Sequence, residues 1–197
     1  MKKVVLTSAL LLCISSIQAA ESIRWDSASL SYQSMDSDGN EFTGFEISGT
    51  TLVSENFFVA GSYSSVSADI EVVDSKVDID LNTLSVGIGY RHGISSHTDI
   101  FGILSYEYLE IETLFRGQSA DDNENAYVLE AGIRSLVTEH IELSGSISYI
   151  GIDDESETSF NLSAMYHFTD QFSAGAGYGK PDSDDVDFLS LSAVYFF

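Results

Sequence analysis

Residues 125–137 read NAYVLEAGIRSLV, and their alternation decides the fold. Tyr127, Leu129, Ala131, Ile133 and Val137 fall on one face of an extended chain. Val128, Glu130, Gly132, Arg134 and Leu136 fall on the other. Successive side chains of a strand point to opposite faces, so this segment is apolar on one side and small or charged on the other. The same period runs through 158–168, where Phe160, Leu162, Ala164, Tyr166 and Phe168 oppose Ser159, Asn161, Ser163, Met165 and His167. It recurs at 84–90, at 141–149 and at the end of the chain, where Leu189, Leu191, Ala193, Tyr195 and Phe197 oppose Ser190 and Ser192. No stretch after residue 20 is apolar for long enough to cross a bilayer as a helix, and no helical period competes with the alternation.

A water-soluble sandwich also alternates, but three features favour a barrel in a membrane. Aromatic residues bracket the apolar faces: Tyr32, Tyr63, Tyr108, Tyr127, Tyr149, Phe160 and Tyr178 at one end, and Phe57, Tyr90, Phe168, Phe172, Tyr195 and Phe197 at the other. Such rings prefer the bilayer–water interface. At about 3.4 Å per residue and a tilt near 40°, Phe160 to Phe168 rises roughly 21 Å, close to the apolar band of a membrane barrel. The opposite faces are mostly Ser and Gly with an occasional charge, unlike a sandwich core. Finally, the connections alternate in length. Face parity leaves three residues between Val53 and Phe57, between Val137 and Ile141, and between Phe168 and Phe172. The three turns, Ser54-Glu55-Asn56, Thr138-Glu139-His140 and Thr169-Asp170-Gln171, share one chemistry of hydroxyl, acid and polar residue. Such side chains hydrogen-bond their own backbone. A fourth short turn lies within Gly93 to Asp99: Thr98-Asp99 fits the turn chemistry, whereas the face parity of Tyr90 and Ile100 sets the turn nearer Ser95. Longer, acidic connections fall near 34–41, 67–79, 112–125, 153–157 and 180–187. Four short turns and five long loops make ten antiparallel strands, up and down; eight is the alternative, if Phe172 to Gly179 is not a strand.

Composition narrows the setting. Eight basic against 31 acidic residues give a net charge of −23, which argues against a nucleic-acid partner. One cysteine excludes a disulfide framework. Twelve Phe and ten Tyr among 44% hydrophobic residues argue against a disordered coil. Residues 1–20 have the form of a cleaved signal peptide: Lys2 and Lys3, an apolar Val4 to Ile14, and a small polar end at Gln18-Ala19-Ala20. The remaining domain is then 21–197, free of cysteine.

The chain's end is similar to the assembly signal of bacterial outer-membrane barrels, with Phe197 preceded at alternate positions by Tyr195, Ala193, Leu191 and Leu189. With the leader and the small size, the whole mature chain resembles the small outer-membrane β-barrel superfamily, opacity-like or porin-like. The resemblance implies a Gram-negative cell envelope, passage across the inner membrane, short turns in the periplasm and long loops outside. It also implies outer-membrane lipid, lipopolysaccharide and the barrel-assembly machinery as partners. It implies no single activity, because this superfamily includes pores, adhesins, lipid enzymes and structural barrels.

Two constellations could carry function. The first is a set of charges on the faces turned from lipid: Arg134, Glu130, Glu142, Glu46, Arg91, Glu107 and His167. The three-residue turn at 138–140 sets Arg134 opposite Ser144 and diagonal to Glu142, which predicts an Arg–carboxylate network in the lumen. It would either fill a narrow interior or line a charged constriction. The second is the acid clusters of the long loops, which include Asp36, Asp38, Asp153, Asp154, Glu155, Asp184 and Asp185. They offer hard oxygen ligands for weak divalent-cation binding, although Asp36 to Glu41 lacks the full spacing of a calcium loop. The four His are scattered without a catalytic arrangement, so no enzyme, cofactor or structural metal is expected. The expected function is a small porin-like channel of limited passage with cation preference. The alternative is a closed barrel whose acidic outer loops bind divalent cations, lipopolysaccharide or a surface partner.

Overall fold

The computed structural model describes residues 23–37, 40–72, 75–115, 118–152, 155–182 and 186–197. The expected leader at 1–20 lies outside them, as do Asp38, Asp153, Asp154, Asp184 and Asp185; so does the side chain of Glu155.

Ten antiparallel strands close into one barrel in the order β1-β10-β9-β8-β7-β6-β5-β4-β3-β2. They are β1 (Ser27–Ser37), β2 (Asn40–Leu52), β3 (Phe57–Val72), β4 (Ser75–Ser95), β5 (Thr98–Phe115), β6 (Gln118–Leu136), β7 (Ile141–Ile152), β8 (Glu155–His167), β9 (Phe172–Pro181) and β10 (Val186–Phe196). Phe172–Pro181 is therefore a strand, and the count is ten rather than eight. Closure by β1 against β10 pairs the edges that an open sheet would leave to lipid.

The alternation sorts the side chains as read. Leu84, Val86, Ile88 and Tyr90 are exposed on the outer face, as are Leu129, Ile133, Leu162, Phe168, Leu189, Leu191, Tyr195 and Phe197. Every aromatic assigned to the two girdles is among the exposed hydrophobics. The three similar turns close in the same way. The amides of Val53, Val137 and Phe168 donate to the carbonyls of Phe57, Ile141 and Phe172 at 2.9, 2.9 and 3.0 Å. The hydroxyls of Ser54, Thr138 and Thr169 accept from the amides three residues on. In the fourth turn Ser95 pairs with Thr98 across a register shift, so the parity reading near Ser95 holds.

Much of each long connection is paired strand rather than open loop. β3 to β6 run 16, 21, 18 and 19 residues, against 10 to 13 for the others. Four neighbouring strands thus stand as a wall roughly 15 Å above the rest of that rim. The lumen is not uniformly small and polar, as its Ser and Gly had implied. Its long-hairpin end holds Met35, Phe42, Val66, Ala68, Leu81 and Val186, and beside them Leu109, Ala126, Val128, Ile150 and Ile152. Its short-turn end holds Ile23, Trp25, Phe58, Ala60, Ile103 and Leu136, with Met165, Val194 and Phe196 nearby. Ser29, Ser48, Ser62 and Ser85 form a buried polar belt between the ends.

Candidate functional site

The charged interior is built on a four-residue strap. Before β1 begins, Ile23, Arg24, Trp25 and Asp26 cross the short-turn mouth. Trp25 is 1% exposed. Its indole lies 4.5 Å from Phe58 and 5.7 Å from Phe101, between ring centroids. The rings fit because the facing strand positions are glycines. A Cβ on Gly89 would stand 2.1 Å from the Phe58 ring, and one on Gly132 would stand 2.6 Å from the Phe101 ring. Glycine is required at these two sites by close approach.

Polar groups then fasten the strap from all sides. Trp25 Nε1 donates to Asp99 Oδ2 at 2.8 Å. Arg91 Nη1 pairs with the same oxygen at 3.3 Å and donates to the Ile23 carbonyl at 3.2 Å. Arg134 donates to the Arg24 carbonyl at 3.3 Å, and its guanidinium lies 4.5 Å from the Trp25 ring. Arg24 donates to the Asp170 carbonyl at 2.8 Å, and Asp26 accepts from Thr51 and from the amide of Leu52. β2, β4, β5, β6 and the β8–β9 turn all hold this short segment.

The expected Arg134–carboxylate network forms in its predicted register. Arg134 is opposite Ser144, and its Nε and Nη2 both donate to Glu142 Oε1, at 2.7 and 2.6 Å. Glu142 Oε2 stands 3.5 Å from His167 Nε2, and His167 Nδ1 shares a 2.6 Å hydrogen bond with Ser173 Oγ. Sequence reading did not foresee this Ser173–His167–Glu142 series. It has the donors and acceptors of a relay, but Ser173 is 4% exposed, buried inside the barrel wall.

The other predicted lumen residues are set apart. Glu46, Glu107 and Glu130 are buried in the belt. Gln33 Nε2 donates to Glu46 Oε2 at 3.0 Å, and Ser48 also bonds Glu46. Ser85 bonds Glu107, and Ser146 bonds Glu130. Glu107 lies within electrostatic reach of the other two. Arg91 faces inward but at the mouth, with Asp99 as its acid partner. Trp25, Asp99 and Ser173 are the site residues that sequence reading missed. The chain's single Trp, two residues before the first strand, was the available signal.

At the opposite rim, the outer face of the wall carries a row of directly opposed acids: Asp80 faces Glu112, and Glu112 faces Asp121. All three are exposed. A second row sets Asp36 between Glu41 and Asp187. Asp187 is already engaged by Tyr178 Oη at 2.6 Å and by Lys180 at 3.1 Å. Among the described residues no group of three acidic, His or Cys side chains is arranged to hold a metal ion.

A closed ten-stranded barrel with an apolar outer band, two aromatic girdles and charged side chains buried inside defines a small outer-membrane β-barrel protein. The chain belongs to the outer membrane protein beta-barrel domain family, whose profile matches residues 5–178. Among solved structures it is similar to the NanC porin, at 10% identity with a TM-score of 0.51, covering 86% of this chain and 99% of that one. It is also similar to Ail, the attachment invasion locus protein of Yersinia pestis, at 18% identity with a TM-score of 0.47, covering 88% and 100%. The N-terminal barrel of Pseudomonas aeruginosa OprF matches at 11% identity with a TM-score of 0.46, covering 87% and 98%. No curated protein sequence matches the chain.

Proposed function

We propose that this protein is a closed outer-membrane barrel that acts through its raised, acidic hairpins and has no enzymatic role. The observation that carries the reading is the strap. Trp25 and its aromatic and arginine partners fill the short-turn mouth, and an ion would have to displace them to pass. The partner for the wall is then set by charge. Like charges directly opposed across strands destabilise a sheet unless something compensates them. The Asp80–Glu112–Asp121 row lies two residues, about 7 Å, beyond the level of Asn82, which accepts a hydrogen bond from the girdle residue Tyr63. That is headgroup height, where divalent cations can link carboxylates to the phosphates of lipopolysaccharide. A second reading, a narrow cation-preferring channel, is favoured by the carboxylates and small serines of the belt. It needs the strap to leave the mouth.

Conductance of the refolded protein in planar bilayers separates the two. The closed reading expects no reproducible steps. Well-defined, cation-selective steps from the wild type would overturn it. Surface labelling tests the orientation: a tag within 153–157 is expected to be reachable on intact cells, and one within 138–140 is not. The reverse pattern would place the acidic wall in the periplasm and remove its proposed partner.

A further inference from the structure

We propose that the middle of the lumen holds one divalent cation, bound by Glu46, Glu107 and Ser62. Three oxygens there lack any hydrogen-bond partner: Glu46 Oε1, Glu107 Oε1 and Ser62 Oγ. Their residues are 2%, 1% and 7% exposed, so bulk water does not satisfy them. The register brings them to one place. Ser62 on β3 is paired with Ser48 on one side and with Ser85 on the other. Ser48 is the serine that bonds Glu46, and Ser85 is the one that bonds Glu107. The unpartnered hydroxyl therefore sits between the anchors of the two carboxylates. It is a neutral group, independent of the acids, and it too has an oxygen with nothing opposite it.

The missing component is positive. An ionised carboxylate oxygen accepts and cannot donate, so a proton or a cation must satisfy it. Among the described residues no basic side chain lies at this level. Arg24, Arg91 and Arg134 are gathered at the short-turn mouth, where the Asp170 carbonyl, Asp99 and Glu142 engage them in turn. Lys180 is outside, with Asp187. Apolar clusters cover the belt above and below, and an uncompensated buried charge there is expensive. A divalent ion balances the two carboxylates. Two acids and one hydroxyl make an open half-shell, consistent with the lack of a three-acid cluster, and the remaining positions fall to water, as hard cations accept. Glu130 adds negative potential nearby. Because apolar layers lie on both sides, the ion enters as the barrel closes.

The test is refolding of the full chain from urea into detergent, in chelated buffer, with added Ca²⁺ or with Na⁺ at equal ionic strength. Ca²⁺ is expected to raise the heat-unfolding midpoint by a constant increment per tenfold concentration, as linked binding requires. One Ca²⁺ per barrel is expected to survive washing. Glu107→Gln and Glu46→Gln keep the shape and are expected to lose both effects; Ser62→Ala is expected to weaken binding about tenfold, a loss of about 1.4 kcal/mol. A control triple variant in the wall, Asp80→Asn, Glu112→Gln and Asp121→Asn, is expected to keep the retained ion. Three results overturn the proposal: an equal response to Na⁺, an undiminished Ca²⁺ response in Glu107→Gln and Glu46→Gln, or no Ca²⁺ retained by the wild type.

Discussion

Replacing Trp25 by Ala removes the keystone of the strap, and the size of the effect follows from its contacts. Truncating a fully buried Trp costs about 3–5 kcal/mol. That range takes in the indole's packing on Phe58 and Phe101 and its π contact with Arg134; a desolvated cation–π pair alone contributes about 2 kcal/mol. For a barrel of this size, 3–5 kcal/mol lowers the unfolding midpoint by roughly 6–20 °C. Trp25→Phe keeps most of the packing and removes one donor from Asp99, which still has Arg91. Its loss is expected near 1.5–3 kcal/mol, that of a hydrogen bond to a charged group. The assay is heat modifiability on gels, where folded and unfolded barrels migrate differently, run beside bilayer conductance. Trp25→Ala is expected to melt lowest, with Trp25→Phe between it and wild type, and only Trp25→Ala is expected to admit ions at the short-turn mouth. If Trp25→Ala melts with the wild type and stays silent in bilayers, the strap is neither a brace nor a plug.

Other consequences can be read from the same contacts. Glu142→Gln leaves Arg134 charged and buried beside His167, and is expected to destabilise by about 3–5 kcal/mol; the double variant Arg134→Met, Glu142→Met is expected to be milder than the sum of its parts, measured by the same melt. Gly89→Val pushes into the Phe58 ring, and is expected to loosen the strap, seen as protease cleavage near residue 25. Deleting Phe197, or making it charged, removes the last residue of the assembly signal, and is expected to lower outer-membrane abundance; equal abundance refutes it. Trp25 is the only tryptophan, so its emission reports docking of the strap and is expected to shift together with, or after, the gel change of barrel closure, never before it.

What could be read from the sequence depended on local order. Period two gave the outer face, and three similar turns gave the register. That register alone put Arg134 diagonal to Glu142. Alternation says which face a residue takes, but not its height along the barrel. The apolar ends of the lumen were therefore hidden, although Val128 and Leu136 were assigned inward. The long hairpins were hidden for another reason. Segments such as 118–125 are acidic and read as loop, yet they are strand because each neighbour extends the ladder, so pairing overrides local preference. Asp99 was obscured by the irregular pairing between Gly93 and Ser95. Trp25 lies in a segment with no period, and its partners Asp99 and Arg134 stand 74 and 109 positions away. Only the closed barrel brings them together.

The scarcity of basic residues explains why the interior divides as it does. The arginines at the short-turn mouth hold acids and strap carbonyls at once. Arg91 serves Asp99 and the Ile23 carbonyl, and Arg134 serves Glu142 and the Arg24 carbonyl. The strap is thus an acceptor strip that two guanidinium groups tie to two buried carboxylates. Removing either arginine unties the backbone and takes the guanidinium from an acid in one step, so sealing the mouth and balancing its charge are a single structural task. Every described lumen arginine is committed to that task, and none remains for Glu46 and Glu107. The lower layer is closed because its charges are matched, while the belt above keeps oxygens that no described residue matches.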